Sequence, residues 1–141
     1  MISLNNKGQS LFLFVIFIPV FMLLGAFVVD IGLAKVTSNN LDDVSKLVLD
    51  YGLKNIDNNP YDSMIDLINK NDDKIDKYDI KLDKLNKIIN LKVEKNSSSF
   101  FGNIIGKDKY KISINYIGYI NAEGNTVIER VEWKWKKTQQ K

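Results

Sequence analysis

A stretch of nineteen residues without a charged side chain, Leu11 to Val29, constrains this chain more than any other feature of its sequence. At about 1.5 Å of rise per residue, a helix of that length spans roughly 28 Å. The hydrocarbon core of a bilayer is about 30 Å thick. Because the stretch offers no polar face at any helical angle, it is poorly suited to the core of a soluble protein. The stretch therefore predicts one transmembrane helix at residues 11–29.

A cleaved export signal is the competing interpretation of this stretch. Signal peptides have an apolar core of about 7–15 residues, followed by a cleavage site made of small residues. The apolar run here is longer, which favours a permanent anchor. Gly32 and Ala34 form a loose small–x–small pattern just after it, so an exported soluble domain stays open as the alternative.

Three residues inside the predicted span bear on how it packs. Pro19 removes one backbone donor at mid-span and predicts a kink. Gly25 and Ala26 form a small patch where a neighbouring helix can approach closely. Both features also occur in ordinary membrane helices, so they are weak evidence for association between spans.

The flanking charges predict the orientation of the span. Lys7 precedes it, and residues 1–10 contain no acidic side chain. Acidic and basic residues offset each other beyond the span, at Asp30, Lys35, Asp42, Asp43 and Lys46. Lysine and arginine favour the cytoplasmic side. We therefore expect residues 1–10 to form a short cytoplasmic leader, with the rest of the chain after the span outside the cell membrane.

The helical pattern continues past the span as an amphipathic helix at residues 30–55. Its apolar stripe predicts helix packing through Leu41, Val44, Val48 and Tyr51. Such a stripe is more often a domain core than a partner surface. The helix is expected to end near Lys54, before the turn signal Asn58-Asn59-Pro60.

Residues 56–141 predict a small extracytoplasmic α+β domain. A short helix begins after Pro60, and four segments with strand periodicity follow it. These segments centre on Tyr78–Leu82, Ile89–Val93, Tyr110–Tyr116 and Val127–Trp135. The apolar "FFGNIIG" between the second and third strands is expected to return to the core. The fold class is thus α+β: a long N-terminal helix with a small antiparallel sheet packed on its extramembrane half.

Composition excludes several kinds of chemistry. The chain has no cysteine and no histidine, so disulfides, thiol nucleophiles and the usual zinc sites are absent. The acidic run from Asp72 to Asp83 lacks the turn glycine of a calcium loop and is interspersed with lysines. Trp133 and Trp135 share one strand face and favour core packing over nucleic acid. We expect no enzyme activity, cofactor, metal, nucleic acid or small-molecule substrate.

The spacing of three features in and around the apolar stretch resembles a known family. Lys7-Gly8 precedes the run, Pro19 follows Gly8 by eleven residues, and Asp30-Ile31-Gly32 begins eleven residues after Pro19. This pattern is similar to the N-terminal region of the TadE/TadG-like pseudopilins of tight-adherence (Flp) pilus systems. The resemblance covers about 45 residues well and the rest loosely. It implies a membrane-anchored subunit whose partners are the lipid bilayer, other pilus or pseudopilin subunits and an assembly platform.

One position departs from the prepilin pattern. Prepilin-type substrates carry glutamate at the fifth position after a glycine cleavage site, and Leu13 occupies that position here. The resemblance is therefore closer to the TadG-like members, and it leaves open whether the chain is cleaved between Gly8 and Gln9. The sequence predicts a non-enzymatic, single-pass, pseudopilin-like component of a Tad/Flp-type pilus or related secretion system. The alternative is an exported or membrane-tethered binding domain unrelated to pili.

Overall fold

The protein, described by a computed structural model, is α+β: one long N-terminal helix and a four-stranded antiparallel sheet. The structure describes the backbone of residues 6–132 and the side chains of residues 8–132. Its elements are α1 (Asn6–Lys54), a 3₁₀ turn (Ile56–Asn58), α2 (Tyr61–Asn71), β1 (Lys77–Asp83), β2 (Ile88–Ser98), α3 (Phe100–Ile104), β3 (Lys109–Ile120) and β4 (Thr126–Arg130). The predicted fold class is confirmed.

The first helix is continuous for 49 residues and contains Pro19. It ends at Lys54, as the sequence predicted. The 3₁₀ turn follows, and Asn59 after that turn adopts a left-handed conformation (φ 54°) before Pro60. A left-handed residue cannot continue a right-handed helix. Pro60 then immediately precedes α2, whose first turn tolerates its missing N–H.

The chain divides into two compact units. The first contains α1 up to Lys35 together with Ser97–Tyr110. The second contains Val36–Asn96 and the chain from Lys111 onwards. The second unit holds the hydrophobic core.

That core lies between the C-terminal part of α1, α2 and one face of the sheet. The sheet is a meander in the order β1-β2-β3-β4. Alternation along each strand places one side chain in two toward the core, which is why Ile89, Leu91 and Val93 of β2 are fully buried. Ile114 and Tyr116 of β3 join them.

The helix supplies a wider buried face than the sequence predicted. Leu41, Val44 and Val48 are buried as expected. Tyr51, which we also expected to pack, is instead 37% exposed. Leu49 and Leu53 are buried in its place. The buried face is therefore centred about a quarter turn away from Tyr51, which lies on its edge.

Gly52 and Gly118 allow the helix to approach its neighbours closely. A Cβ atom on Gly52 would lie 2.6 Å from Met64 Sδ and 2.9 Å from Ile89 Cδ1. One on Gly118 would lie 2.9 Å from Leu53 Cδ1. All three distances are below van der Waals contact, so a Cβ atom at either position would require the facing Met64, Ile89 or Leu53 side chain to shift.

The fourth strand is shorter than predicted and faces differently. It ends at Arg130, and Trp133 and Trp135 lie outside the described residues. Ile128 pairs with Gly118 and packs against the core. Val127 pairs with Tyr119 on the opposite face. We predicted that Val127 lies on the apolar, core-facing side of this strand. That prediction was wrong by one residue, because Ile128 is the apolar residue that packs against the core.

Candidate membrane anchor and the Asp30 clasp

The predicted span presents an apolar surface with no protein packed over it. Every described side chain from Gly8 to Val29 is exposed except Ala26, which is half-buried. None of the most apolar window of α1 is buried within the chain. An exposed apolar surface of this extent is unstable in water. By length and composition the helix is suited to cross a membrane, and it is the one such helix in residues 6–132.

The other predicted site residues of this region lie along the same exposed helix. Gly8 and Gln9, the predicted cleavage pair, are helical and exposed, and Lys7 is helical as well. Leu13 is 50% exposed. Pro19 and Gly25 are exposed too, and a Cβ atom on Gly25 would meet nothing within 4 Å. The proposed packing patch at Gly25 and Ala26 is therefore sterically open for a second helix.

Asp30 is the exception, and it forms the most highly organised polar site of the first unit. Only 6% of its surface is exposed, directly after the apolar span. Its Oδ2 atom accepts hydrogen bonds from Ser99 Oγ at 2.5 Å and from the Phe101 N–H at 2.9 Å. Its Oδ1 atom accepts one from the Phe100 N–H at 2.6 Å. We call this set of contacts between Asp30 and residues 99–101 the Asp30 clasp.

The Asp30 clasp forms at the N-terminal end of α3, where backbone N–H groups are free to donate to the carboxylate. The first N–H groups of a helix have no partner within the helix. The Ser99 hydroxyl accepts from the Gly102 N–H at 2.6 Å, and the Asp30 carboxylate accepts from the two N–H groups between them. The short helix is thereby capped by its own serine and by an acidic residue 69 positions earlier in the chain.

Gly102 is required for this local structure. A Cβ atom there would lie 1.8 Å from the Lys107 carbonyl oxygen and 2.4 Å from Ser99 Oγ. The Lys107 N–H also donates to the Gly102 carbonyl at 2.7 Å, which closes the turn after α3. The glycine of "FFGNIIG" is therefore fixed by close backbone approach.

Two opposing effects set the pKa of Asp30. Burial alone would raise it, because the charged carboxylate loses solvent. The hydrogen bonds from Ser99, Phe100 and Phe101 favour the charged form and outweigh burial, so the pKa lies below its ordinary value. Asp30 is therefore a carboxylate at neutral pH, and the clasp is a set of charge-assisted hydrogen bonds.

Aromatic contact accompanies the clasp. The rings of Phe27, in the last turn of the apolar span, and Phe101 lie 5.7 Å apart, edge to face at 73°. Gly32, the last residue of the family-like pattern, is exposed and takes no part in the clasp, and a Cβ atom there would meet nothing within 4 Å. Among the pattern residues whose side chains the structure describes, Asp30 is thus the one that acquires a specific structural role.

The sequence prediction about α3 was wrong in one respect. We expected Phe100, Phe101, Ile104 and Ile105 to return to the core. Phe100, Ile104 and Ile105 are 59–61% exposed, and Phe101 contacts Phe27 in the first unit. The reason is that the Asp30 clasp ties the loop to α1 beside the apolar span.

The acidic run from Asp72 to Asp83 is structural in the second unit. Asp72 is buried, and its Oδ2 atom accepts from Lys95 Nζ at 2.5 Å and from Asn40 Nδ2 at 3.1 Å. Asp76 accepts from the Asn96 N–H, and Asp83 accepts from Asn86. Within residues 6–132, no three of these carboxylates lie close enough together to hold a metal ion.

The sheet face opposite the core is polar. Glu94 accepts from Lys92 Nζ and Lys111 Nζ, both at 2.7 Å, and these bonds lower its pKa to about 2. A shallow depression of about 680 Å³ lies on this face, lined by Lys92, Glu94, Lys111, Ser113, Asn115, Arg130, Val131 and Glu132. Glu94 is already neutralised by two lysines, so it is poorly placed to act as a general base.

Comparison with known proteins adds no relative. No family model, curated protein or solved structure matches this chain.

Proposed function

We propose that the chain is a non-enzymatic, single-pass membrane protein, a pseudopilin-like component of a Tad/Flp-type pilus or related secretion assembly. Residues 11–29 hold it in the cell membrane, with the N-terminus cytoplasmic and the α+β domain outside. The observation that carries this proposal is the exposed apolar surface of α1 from Leu11 to Val29. The length of this helical segment matches the thickness of a bilayer, so insertion into lipid removes its apolar surface from water.

Two features support the pseudopilin class over a generic anchor. The first is the joint spacing of Gly8, Pro19 and Asp30, which resembles the TadE/TadG-like N-terminal region. The second is the continuity of α1, which extends as one helix from the apolar segment to Lys54 and contributes Leu41 and Leu53 to the core of the second unit. Partners are other pilus or pseudopilin subunits and an assembly platform, and Gly25 and Ala26 offer the open surface for a neighbouring span.

Intact-mass measurement of the protein extracted from membranes tests this proposal. A full-length chain supports an unprocessed TadG-like anchor, and a mature terminus at Gln9 supports a prepilin route. A terminus near Lys35 would remove the span and overturn the proposal. Neighbouring genes for a secretion ATPase and a prepilin peptidase would support the pilus assignment.

A membrane-tethered binding domain unrelated to pili is the second candidate. The depression on the open face of the sheet favours it, because paired lysines and Glu94 present both charge signs to a polar partner. In that case Lys92→Ala and Lys111→Ala would abolish partner capture in cross-linking, while substitutions at Gly25 would not.

A further inference from the structure

We infer that the α3 loop, residues Phe100–Ile105, inserts its apolar side chains into the lipid interface of the bilayer beside the end of the α1 span. This inference rests on the proposed membrane anchor. It assigns a second membrane-contacting element to the protein, in a segment that the sequence pattern placed in the soluble domain.

The first observation is the exposed apolar surface of the loop. Phe100, Ile104 and Ile105 are exposed at 59%, 61% and 60%. Phe100 and Ile104 are four residues apart in α3, which places them on one face of the helix, and Ile105 directly follows. Contiguous apolar surface of this kind marks a contact with a membrane or another protein.

The second observation fixes the depth of that patch. Asp30 immediately follows the last apolar residue of the span, and the Asp30 clasp binds the first residues of α3 at this point. Phe27 lies three residues earlier, about 4.5 Å further into the span along a helix axis. The contact between Phe27 and Phe101 therefore places the loop at the level of the final turn of the span.

The third observation concerns the residues that follow the patch. Lys107 and Lys109 are exposed, and Tyr110 is 37% exposed. Lysines at a membrane surface extend their ammonium groups toward lipid phosphates, and tyrosines are enriched in the same zone. Aromatic and aliphatic side chains followed by lysines are typical of an element that lies in the interface.

Lipid is favoured as the occupant over a second copy of the chain. Any bilayer that covers residues 11–29 extends on all sides of the helix, and the loop is fixed against the helix at the bilayer boundary. Lipid therefore meets the patch without any further association. A protein partner would need a complementary apolar surface at the same depth.

Site-directed fluorescence in vesicles tests the inference, and the absence of native cysteine makes single-cysteine labelling direct. The full chain is reconstituted in phosphatidylcholine–phosphatidylglycerol vesicles with an environment-sensitive dye at Ile104→Cys. Phe21→Cys reports on the span, and Leu85→Cys, at a 96% exposed residue of the β1–β2 turn, is the matched aqueous control. Quenching by spin-labelled lipid and by aqueous iodide is then compared.

The inference predicts that lipid-borne quencher acts on position 104 several-fold more strongly than on position 85, and that iodide shows the reverse order. In Asp30→Asn, quenching by spin-labelled lipid at position 104 should fall several-fold, while lipid quenching at position 21 should be unchanged.

Lipid quenching at position 21 combined with iodide access at position 104 would overturn the loop insertion and leave the anchor intact. Shielding of 104 from both quenchers would overturn it in favour of a protein cover. Absence of lipid quenching at 21 would refute the anchor and the inference with it.

Discussion

The two halves of α1 are both helical, but the side chains of the first half are exposed and many of those in the second half are buried. Between Leu11 and Val29 all but one side chain is exposed, although every one is apolar or small. Between Leu41 and Leu53 seven residues are buried, and charged residues are interspersed with them. The comparison shows that uniform apolarity gives a helix suited to lipid, whereas an apolar stripe gives one that packs on a sheet.

The largest expected effect comes from placing charge in the apolar half. Val20→Arg combined with Leu24→Arg should cost about 5 kcal/mol of membrane insertion, because each arginine near the centre of a span is penalised by about 2.5–3.5 kcal/mol. The protein should move from the membrane pellet to the soluble or aggregated fraction on centrifugation.

The matched control places the same charges in the amphipathic half with the same spacing. Leu47 and Tyr51 are exposed there, so Leu47→Arg with Tyr51→Arg should leave the protein in the membrane pellet. If the two double variants left the membrane pellet to the same extent, the claim that only the first half of α1 holds the protein in the membrane would be contradicted.

Truncation of an apolar side chain to alanine should destabilise the fold when it is made in the second half of α1 and not when it is made in the first half. Leu49 is fully buried, so Leu49→Ala should lower the free energy of unfolding of the second unit by about 2–5 kcal/mol through lost burial and a cavity. Leu24→Ala, at a 55% exposed position, should leave that transition unchanged. Urea denaturation of the detergent-solubilised full chain, followed by circular dichroism, measures both. A similar loss in the two variants would show that the apolar half also contributes to the core.

The Asp30 clasp should respond to charge and to pH at the boundary between the halves. Asp30→Asn should lower hydrogen-exchange protection of the Phe100 and Phe101 amides, while Asp43→Asn, at an exposed position on the same helix, should not. Because the folded-state pKa of Asp30 lies below its ordinary value of 3.8, the wild-type clasp should be complete above that value. Protection should be lost only as the pH falls through the lowered pKa. Loss of protection already at neutral pH would contradict a charged clasp.

The smallest effect is expected on the open face of the sheet. Glu94 has its pKa lowered from 4.5 to about 2 by hydrogen bonds from Lys111 and Lys92. Folding therefore disfavours its protonation, so its contribution to stability is full above pH 4.5 and disappears as the pH falls to about 2. Urea midpoints of wild type and Glu94→Gln should differ slightly at neutral pH and converge at acid pH. A difference in urea midpoint that persists at acid pH would refute the charged Glu94 carboxylate as the origin of this stabilisation. Both lysines are substantially exposed, which limits the effect through solvent screening.

Local patterns were sufficient to predict most of the architecture. The end of α1 near Lys54 was predicted from the turn signal Asn58-Asn59-Pro60 downstream, and the buried faces of β2 and β3 follow from simple alternation of apolar residues. The burial of Leu49 and Leu53 was missed because the stripe was extended to Tyr51 from its N-terminal end, whereas α2 and the sheet together cover a wider face.

The non-local contacts could not be predicted from local patterns. Asp30 meets Ser99 across 69 positions of chain, and Asp72 meets Lys95 across 23. No periodicity pairs these residues. One signal did exist: Asp30 interrupts the pattern at the end of the span, and "SFFG" combines a helix-capping serine with a glycine. Only the fold shows that the two belong together.

Alkaline carbonate extraction of membranes from cells that express the full chain tests the central claim most directly. A peripheral or exported domain is released by this treatment, whereas a protein held by a transmembrane helix stays in the pellet. The anchor at residues 11–29 predicts that the protein remains in the pellet, with an intact mass that includes those residues. Release of the protein into the supernatant, or a pelleted product that begins near Lys35, would contradict it.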